Sequence, residues 1–178
     1  MTRISSLTAW LCASFFLWLA GPANAVDTVR FNVTGRLVTS TCDFSVGDVD
    51  RTIALDKINV TAFAGGVQSA GKKDFTLSLI NCANATTANF LFSGSPHLVD
   101  GQRFANGVSP SVIALWLTDT ATGTTIPANG SVLQRTRSVP VTGSTASLGL
   151  SAYYWNTSGS VPAPSKLTSR VTITMSYL

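Results

Sequence analysis

The sequence predicts an all-β domain built from short strands. Glutamate is absent and lysine is scarce, whereas threonine, serine, valine, glycine and asparagine are abundant. This composition favours strands and turns over helices. Stretches in which apolar and polar residues alternate recur at short intervals, with turn-forming residues between them. Because alternation places every second side chain on the same face of a strand, this spacing is typical of a β-sandwich.

Residues 1–25 have the features of a secretory signal peptide. Arg3 supplies the positive charge, residues 7–20 form an apolar run, and Ala23-Asn24-Ala25 has the small residues of a cleavage site. Because the apolar run is short for a permanent membrane span, we expect cleavage after Ala25. An uncleaved anchor is the alternative.

Without that leader, 153 of the 178 residues remain, which is the length of one domain. They include eleven basic residues and eight aspartates, a net charge of +3. The basic residues are scattered, apart from Lys72-Lys73, so the charge does not indicate a nucleic-acid-binding protein. The two remaining cysteines, Cys42 and Cys82, predict a disulfide formed in an oxidising compartment. Two cysteines and one distant histidine do not make a zinc site.

The first strand alternates between apolar and polar residues from position 29 to position 37. Its apolar side carries Val29, Phe31, Val33, Gly35 and Leu37. Glycine weakens the interior of a strand and often marks the close approach of another backbone. We therefore interpret residues 26–38 as a strand that the protein donates to a neighbouring molecule.

The alternating pattern continues through residues 37–44, and further elements follow in order. Strands are predicted at residues 51–55, 75–82, 88–92, 112–117, 132–141, 148–154 and 170–178. Loops or turns are predicted at residues 64–73, 119–123 and 156–165. The strongly apolar strand at 112–117 is expected at the centre of a sheet, buried on both faces. Pro140 places the 132–141 segment, one strand or a pair, at an edge or an end.

The last strand is amphipathic, like the first. Its apolar side carries Val171, Ile173, Met175 and Tyr177. From the pattern alone, a self-contained sandwich could pack both terminal strands into its own core. A sandwich that exchanges strands with its neighbours is the other interpretation.

Several short motifs, taken in their order and spacing, bear on this choice. Gly35 stands seven positions before Cys42, which follows Ser40-Thr41, and the chain has tyrosine at its penultimate position. Between them lie FTLSLINC at 75–82, LTD at 117–119 and LGLSAYY at 148–154. Over essentially the whole mature chain, these features resemble the pilin subunits of chaperone–usher fimbriae of the type 1 and P-pilus kind.

The resemblance implies an immunoglobulin-like sandwich that lacks its last strand. Residues 39–178 would form this pilin domain, and residues 26–38 would be a donor-strand extension. A periplasmic chaperone would fill the groove beside the last strand, until the extension of another subunit replaces it at the outer-membrane usher. Val171, Ile173, Met175 and Tyr177 would form the acceptor strand, and basic residues of the chaperone would hold the carboxylate of Leu178. Pro164 and Ser165 occupy a region where the family often has glycine.

The same resemblance implies a structural subunit that is exported to the periplasm, polymerises on the cell surface and contributes to adhesion. We expect no enzymatic activity, no cofactor and no metal. His97 is the only histidine of the chain, and it lies outside any nucleophile motif. We expect it on the surface. Asp48 and Asp50 lack the rest of a calcium loop.

Two other functions compete with this interpretation. A tip adhesin of the lectin type would bind host glycans, and Trp116 and Trp155 could contribute, although Trp116 has the sequence context of a core residue. A small secreted enzyme or self-complete sandwich would be a stable monomer without any partner strand.

Overall fold

The computed structural model describes residues 41–108 and 111–178. The predicted leader and donor segment lie outside the described residues. The described part contains seven strands, which are β1 (Thr41–Phe44), β2 (Ser69–Ala83), β3 (Thr87–Ser93), β4 (Ile113–Asp119), β5 (Thr136–Pro140), β6 (Ala146–Asn156) and β7 (Thr172–Tyr177). A 3-10 helix covers Val60–Gly66, and a short helix α1 covers Val132–Arg135. None of the described helices has the length and apolar character needed to span a bilayer.

The seven strands form two antiparallel sheets. One has four strands in the order β1-β2-β6-β4, and the other has three in the order β5-β3-β7. The predicted disulfide is confirmed, since Cys42 of β1 is bonded to Cys82 of β2. The prediction of an all-β sandwich is therefore confirmed for the described residues.

The core lies between the two sheets and is dominated by phenylalanine and leucine. Phe90 and Phe92 of β3, Leu79 of β2 and Leu150 of β6 have no exposed surface. In β3, buried and half-buried residues alternate along the whole strand. In β3 the alternating sequence pattern thus gives the face that packs inward.

Four sequence predictions about strands and loops are wrong, in whole or in part. Residues 51–55 are not a strand, and β2 begins at Ser69, within the predicted loop 64–73. Residues 132–135 are helical because Ser131 and Gln134 form a capping box. The strand at 112–117 corresponds to β4, which is the last strand of its sheet rather than a central one. β4 is nevertheless buried because the segment that contains Phe104 covers it. The backbones of Phe104 and Leu115 exchange two hydrogen bonds of 2.9 Å.

Residues 45–51 follow the edge of β2 without forming a strand. The Ser78 amide donates to Asp48 Oδ2 (2.8 Å), and Arg51 Nη1 donates to the carbonyl of Thr76 (2.8 Å). Arg51 also pairs with Asp48 Oδ1 at 2.7 Å. Side chains therefore satisfy the backbone groups of β2 beyond the point where β1 ends, which protects an otherwise open edge.

Asp48→Ala should lower the free energy of unfolding by about 1–3 kcal/mol, because it leaves the half-buried Ser78 amide without its acceptor. Asp56→Ala is the matched control, since the Asp56 side chain is 72% exposed and pairs only with the exposed Lys73. Urea unfolding of both variants tests this. An equal loss in the two variants would contradict the role assigned to Asp48.

Candidate functional site

Strand β7 occupies an edge of the three-stranded sheet. Within the described residues it pairs with β3 alone, over the register from Ala88–Tyr177 to Ser93–Thr172. The backbone groups on its other side find no strand there. An edge of this kind is a template for the backbone of a further strand.

The apolar side of β7 belongs to the core but is not covered by it. Met175 lies opposite Phe90, and Ile173 lies opposite Phe92, so these side chains point to the same face of the sheet. The two phenylalanines have no exposed surface, whereas Ile173, Met175 and Tyr177 are half-buried. Val171 lies just before β7, is also half-buried and packs against the same core. The four predicted acceptor residues are therefore brought together on one incompletely covered surface.

The opposite side of the sandwich, between β4 and β5, is closed by the chain itself. The Ile126 amide donates to the carbonyl of Leu117 (2.9 Å), and the Ile126 side chain has no exposed surface. Arg137 of β5 reaches Asp119 of β4 (3.8 Å) and donates to the carbonyl of Thr125 (2.7 Å). Burial lowers the pKa of Arg137, and the negative charge of Asp119 opposes this shift.

Among the described residues, a single side-chain hydrogen bond connects β7 with β1. The Tyr177 hydroxyl donates to the carbonyl of Cys42 at 3.1 Å. Burial raises the pKa of this phenol above its ordinary value of 10.0, and the nearby negative charge of Asp43 adds to this shift. Tyr177 thus holds the end of β7 near the disulfide.

The C-terminal segment that contains β7 is held at both ends by hydrogen bonds to residues that the sequence analysis did not single out. Asn106, which is buried, donates to the carbonyl of Lys166 (2.7 Å) and accepts from the Thr168 amide (3.0 Å). At the other end, the Leu178 carbonyl accepts from the amides of Thr86 (2.6 Å) and Thr87 (3.1 Å). No local pattern marks Asn106, because its partners lie sixty residues away in the sequence.

The prediction that His97 lies on the surface is wrong. Its side chain is buried, its Nε2 lies 2.8 Å from the carbonyl of Ser111, and its Nδ1 accepts from the amides of Val99 and Asp100. Both ring nitrogens are therefore engaged in holding a loop. Within the described residues, no cluster of three histidine, cysteine or carboxylate side chains could hold a metal ion.

The two tryptophans considered for a lectin site belong to one cluster on the outer face of the four-stranded sheet. Trp116 is half-buried and packs against Tyr153 (4.7 Å between ring centroids) and Trp155 (5.2 Å). The guanidinium carbon of Arg103 lies 4.1 Å from the centroid of Trp155 and 5.2 Å from that of Trp116. These contacts already occupy ring faces on which a sugar would stack.

Comparisons with known proteins identify the family. The family model described as Fimbrial protein matches residues 29–178, and the chain therefore belongs to the fimbrial protein family. No curated protein matches the sequence. The donor positions Val29 to Leu37 fall within the matched range, although they lie outside the described residues.

Solved structures show the same fold at low sequence identity. The P pilus rod subunit PapA is 15% identical, with a TM-score of 0.62 over 77% of this chain and 99% of that one. A chain of a chaperone–usher pilus structure concerned with rod uncoiling is 14% identical, with a TM-score of 0.62 over 89% of this chain and all of that one. The CupB6 tip adhesin from Pseudomonas aeruginosa is 18% identical, with a TM-score of 0.50 over 61% of this chain and 30% of that one.

Tyr177→Phe should lower the free energy of unfolding by about 1 kcal/mol at neutral pH, because it removes the hydrogen bond to Cys42.

The raised pKa of Tyr177 leads to a second prediction, for alkaline pH. As the pH rises past 10.0, the phenol loses its proton first in the unfolded chain, so the wild type loses stability there. The variant should lose less over the same range.

Urea unfolding at neutral and alkaline pH measures both effects. Tyr153→Phe is the control, because the Tyr153 hydroxyl forms no hydrogen bond within the described residues. Equal alkaline losses in wild type and Tyr177→Phe would show that this phenol does not cause the loss.

Proposed function

We propose that this chain is a structural subunit of a chaperone–usher fimbria and polymerises by donor-strand exchange. The observation that carries the proposal is the edge of β7, which has no partner strand among the described residues and whose apolar side chains belong to the core and yet stay half-buried. A strand added at this edge would form backbone hydrogen bonds with β7 and cover Ile173, Met175 and Tyr177. Membership of the fimbrial family supports the same conclusion.

The occupant we propose is the N-terminal segment of another subunit, residues 26–38. Its apolar side presents Val29, Phe31, Val33 and Leu37, with Gly35 between the last two. Burial of four such side chains corresponds to roughly 6–12 kcal/mol before costs. The ordering of a free segment and the loss of translational freedom reduce this gain considerably. Gly35 would let the donated backbone approach a shallow part of the groove.

Three kinds of partner follow from this proposal. A periplasmic chaperone would cover the β7 edge before assembly, because an exposed edge with uncovered core residues promotes aggregation. The outer-membrane usher would be the place of exchange, and neighbouring pilins would be the final partners. Residues 1–25 would direct export, and the mature chain from residue 26 would end on the cell surface as part of a fimbrium with a structural rather than an enzymatic role.

A comparison of two shortened proteins tests the mechanism. The first lacks residues 26–36, and the second carries the same deletion with residues 26–38 attached after Leu178 through a glycine–serine linker. We expect the first to aggregate or melt early and the second to melt tens of degrees higher, because only the second can cover β7. Thermal unfolding and light scattering provide the measurements. Two monomers with the same melting temperature would rule out donor-strand assembly.

A pair of substitutions in the attached segment tests its orientation in the groove. Gly35→Val should remove most of the stabilisation, because it places a branched side chain on the apolar side where the backbones approach closely. Thr34→Val introduces the same side chain on the other side of the strand and should leave the melting temperature nearly unchanged. If Thr34→Val proves the more damaging change, the assigned face of the donor strand is wrong.

A further inference from the structure

Asparagine is followed by glycine twice in the chain, at 106–107 and at 129–130, and an alanine precedes each pair. Asparagine is one of the chemically labile residues of proteins. A glycine after it has no side chain that would hinder the approach of its backbone nitrogen to the asparagine side chain. The local sequence therefore gives the two asparagines similar reactivity, whereas the structure places them in opposite environments.

The first Ala-Asn-Gly sequence is fixed by hydrogen bonds. The side chain of Asn106 is buried. Its carboxamide forms hydrogen bonds with four groups, which are the carbonyl of Lys166 (2.7 Å), Oγ of Ser111 (3.1 Å) and the amides of Val108 (3.2 Å) and Thr168 (3.0 Å). The amide of Gly107 donates to the carbonyl of Thr168 at 2.6 Å. Neither the carboxamide nor the following backbone nitrogen is free to move.

The second Ala-Asn-Gly sequence has none of these restraints among the described residues. Asn129 is exposed, and its carboxamide forms no hydrogen bond with any described group. The amide of Gly130 likewise donates to no described group. The backbone of Asn129 is held in place, since its own amide donates to the carbonyl of Gly101 (3.1 Å). The carboxamide is therefore open to water while the surrounding chain stays folded.

We propose that Asn129 is a site of spontaneous deamidation in the folded protein and that Asn106 is protected from the same reaction. The nitrogen of Gly130 loses its proton to hydroxide and attacks Cγ of Asn129. The bond from Cγ to Nδ2 breaks, and ammonia leaves with a proton taken from water. The resulting succinimide ring takes up one water molecule and opens to aspartate or isoaspartate. In total one water is consumed and one ammonia is released, without any change of oxidation state.

The protection of Asn106 follows from the local opening that its reaction requires. Five hydrogen bonds of its carboxamide and of the Gly107 amide must break before the nitrogen can reach Cγ. Because each bond contributes a modest net stabilisation, the open form should make up about a hundredth of the population or less. Asn129 needs no such opening, and it should react faster by at least the same factor.

The product would change the closed β4/β5 side of the sandwich. Asn129 lines the same surface pocket as Arg137, whose guanidinium already has Asp119 as its counter-ion. Deamidation therefore adds a negative charge next to a balanced pair. Isoaspartate would also add an extra carbon to the main chain, directly after the amide that pairs with Gly101. The inference does not depend on donor-strand exchange.

Peptide-resolved mass spectrometry of the purified full chain, incubated at neutral and at mildly alkaline pH, tests the proposal. Chymotryptic cleavage after Trp116 places the two asparagines on separate peptides, and a melting transition shows that the incubated chain is folded. We expect the peptide with residue 129 to gain the mass of deamidation, faster at the higher pH because the attacking nitrogen must lose its proton. The peptide with Asn106 should react at least about a hundredfold more slowly.

Two controls separate the effect of the fold from that of the sequence. In urea the two asparagines should react at similar rates, because unfolding removes the hydrogen bonds that protect Asn106. Asn129→Gln should largely abolish the mass gain at position 129 in the folded chain, because the longer side chain would have to close a larger ring that forms more slowly.

Three outcomes would overturn the proposal. The first is that the folded chain shows no mass gain at Asn129. The second is that Asn106 and Asn129 react equally fast in the folded chain, which would show that the hydrogen bonds do not protect. The third is that the difference between the two sites persists unchanged in urea, which would assign it to the sequence rather than to the fold.

Discussion

The structure depends on the half-covered core along β7. Phe90 and Phe92 are fully buried in the core, and β3, the strand that carries them, has β7 on one side and β5 on the other. The β7 residues opposite them have no such second neighbour among the described strands. Apolar side chains and an open row of backbone groups therefore coincide at one edge of the described sheet, and a single additional strand would satisfy both.

The two lateral sides of the sandwich differ in how they are closed. On the β4/β5 side, Ile126 fills the gap and the Arg137–Asp119 pair spans it, with further hydrogen bonds to backbone carbonyls. On the β1/β7 side, the described residues supply one hydrogen bond, from Tyr177 to Cys42. This asymmetry explains how one domain can combine a stable body with one edge suited to strand addition, since the closed side does not depend on a partner.

The sequence by itself determined the all-β class, the Cys42–Cys82 bond and the core-facing residues of β3, β6 and β7, because alternation has the period of a strand wherever one face is buried. Tertiary structure decided what depends on residues distant in the chain. The buried position of His97, the Asp48 contact with β2, the edge position of β4 and the Arg137–Asp119 pair all join segments from different elements. A local sequence pattern does not indicate which distant residues will be such partners. The same holds for the uncovered side of β7, since its alternation would look identical in a complete sandwich. Only the absence of a further strand beside it among the described residues makes it a candidate site.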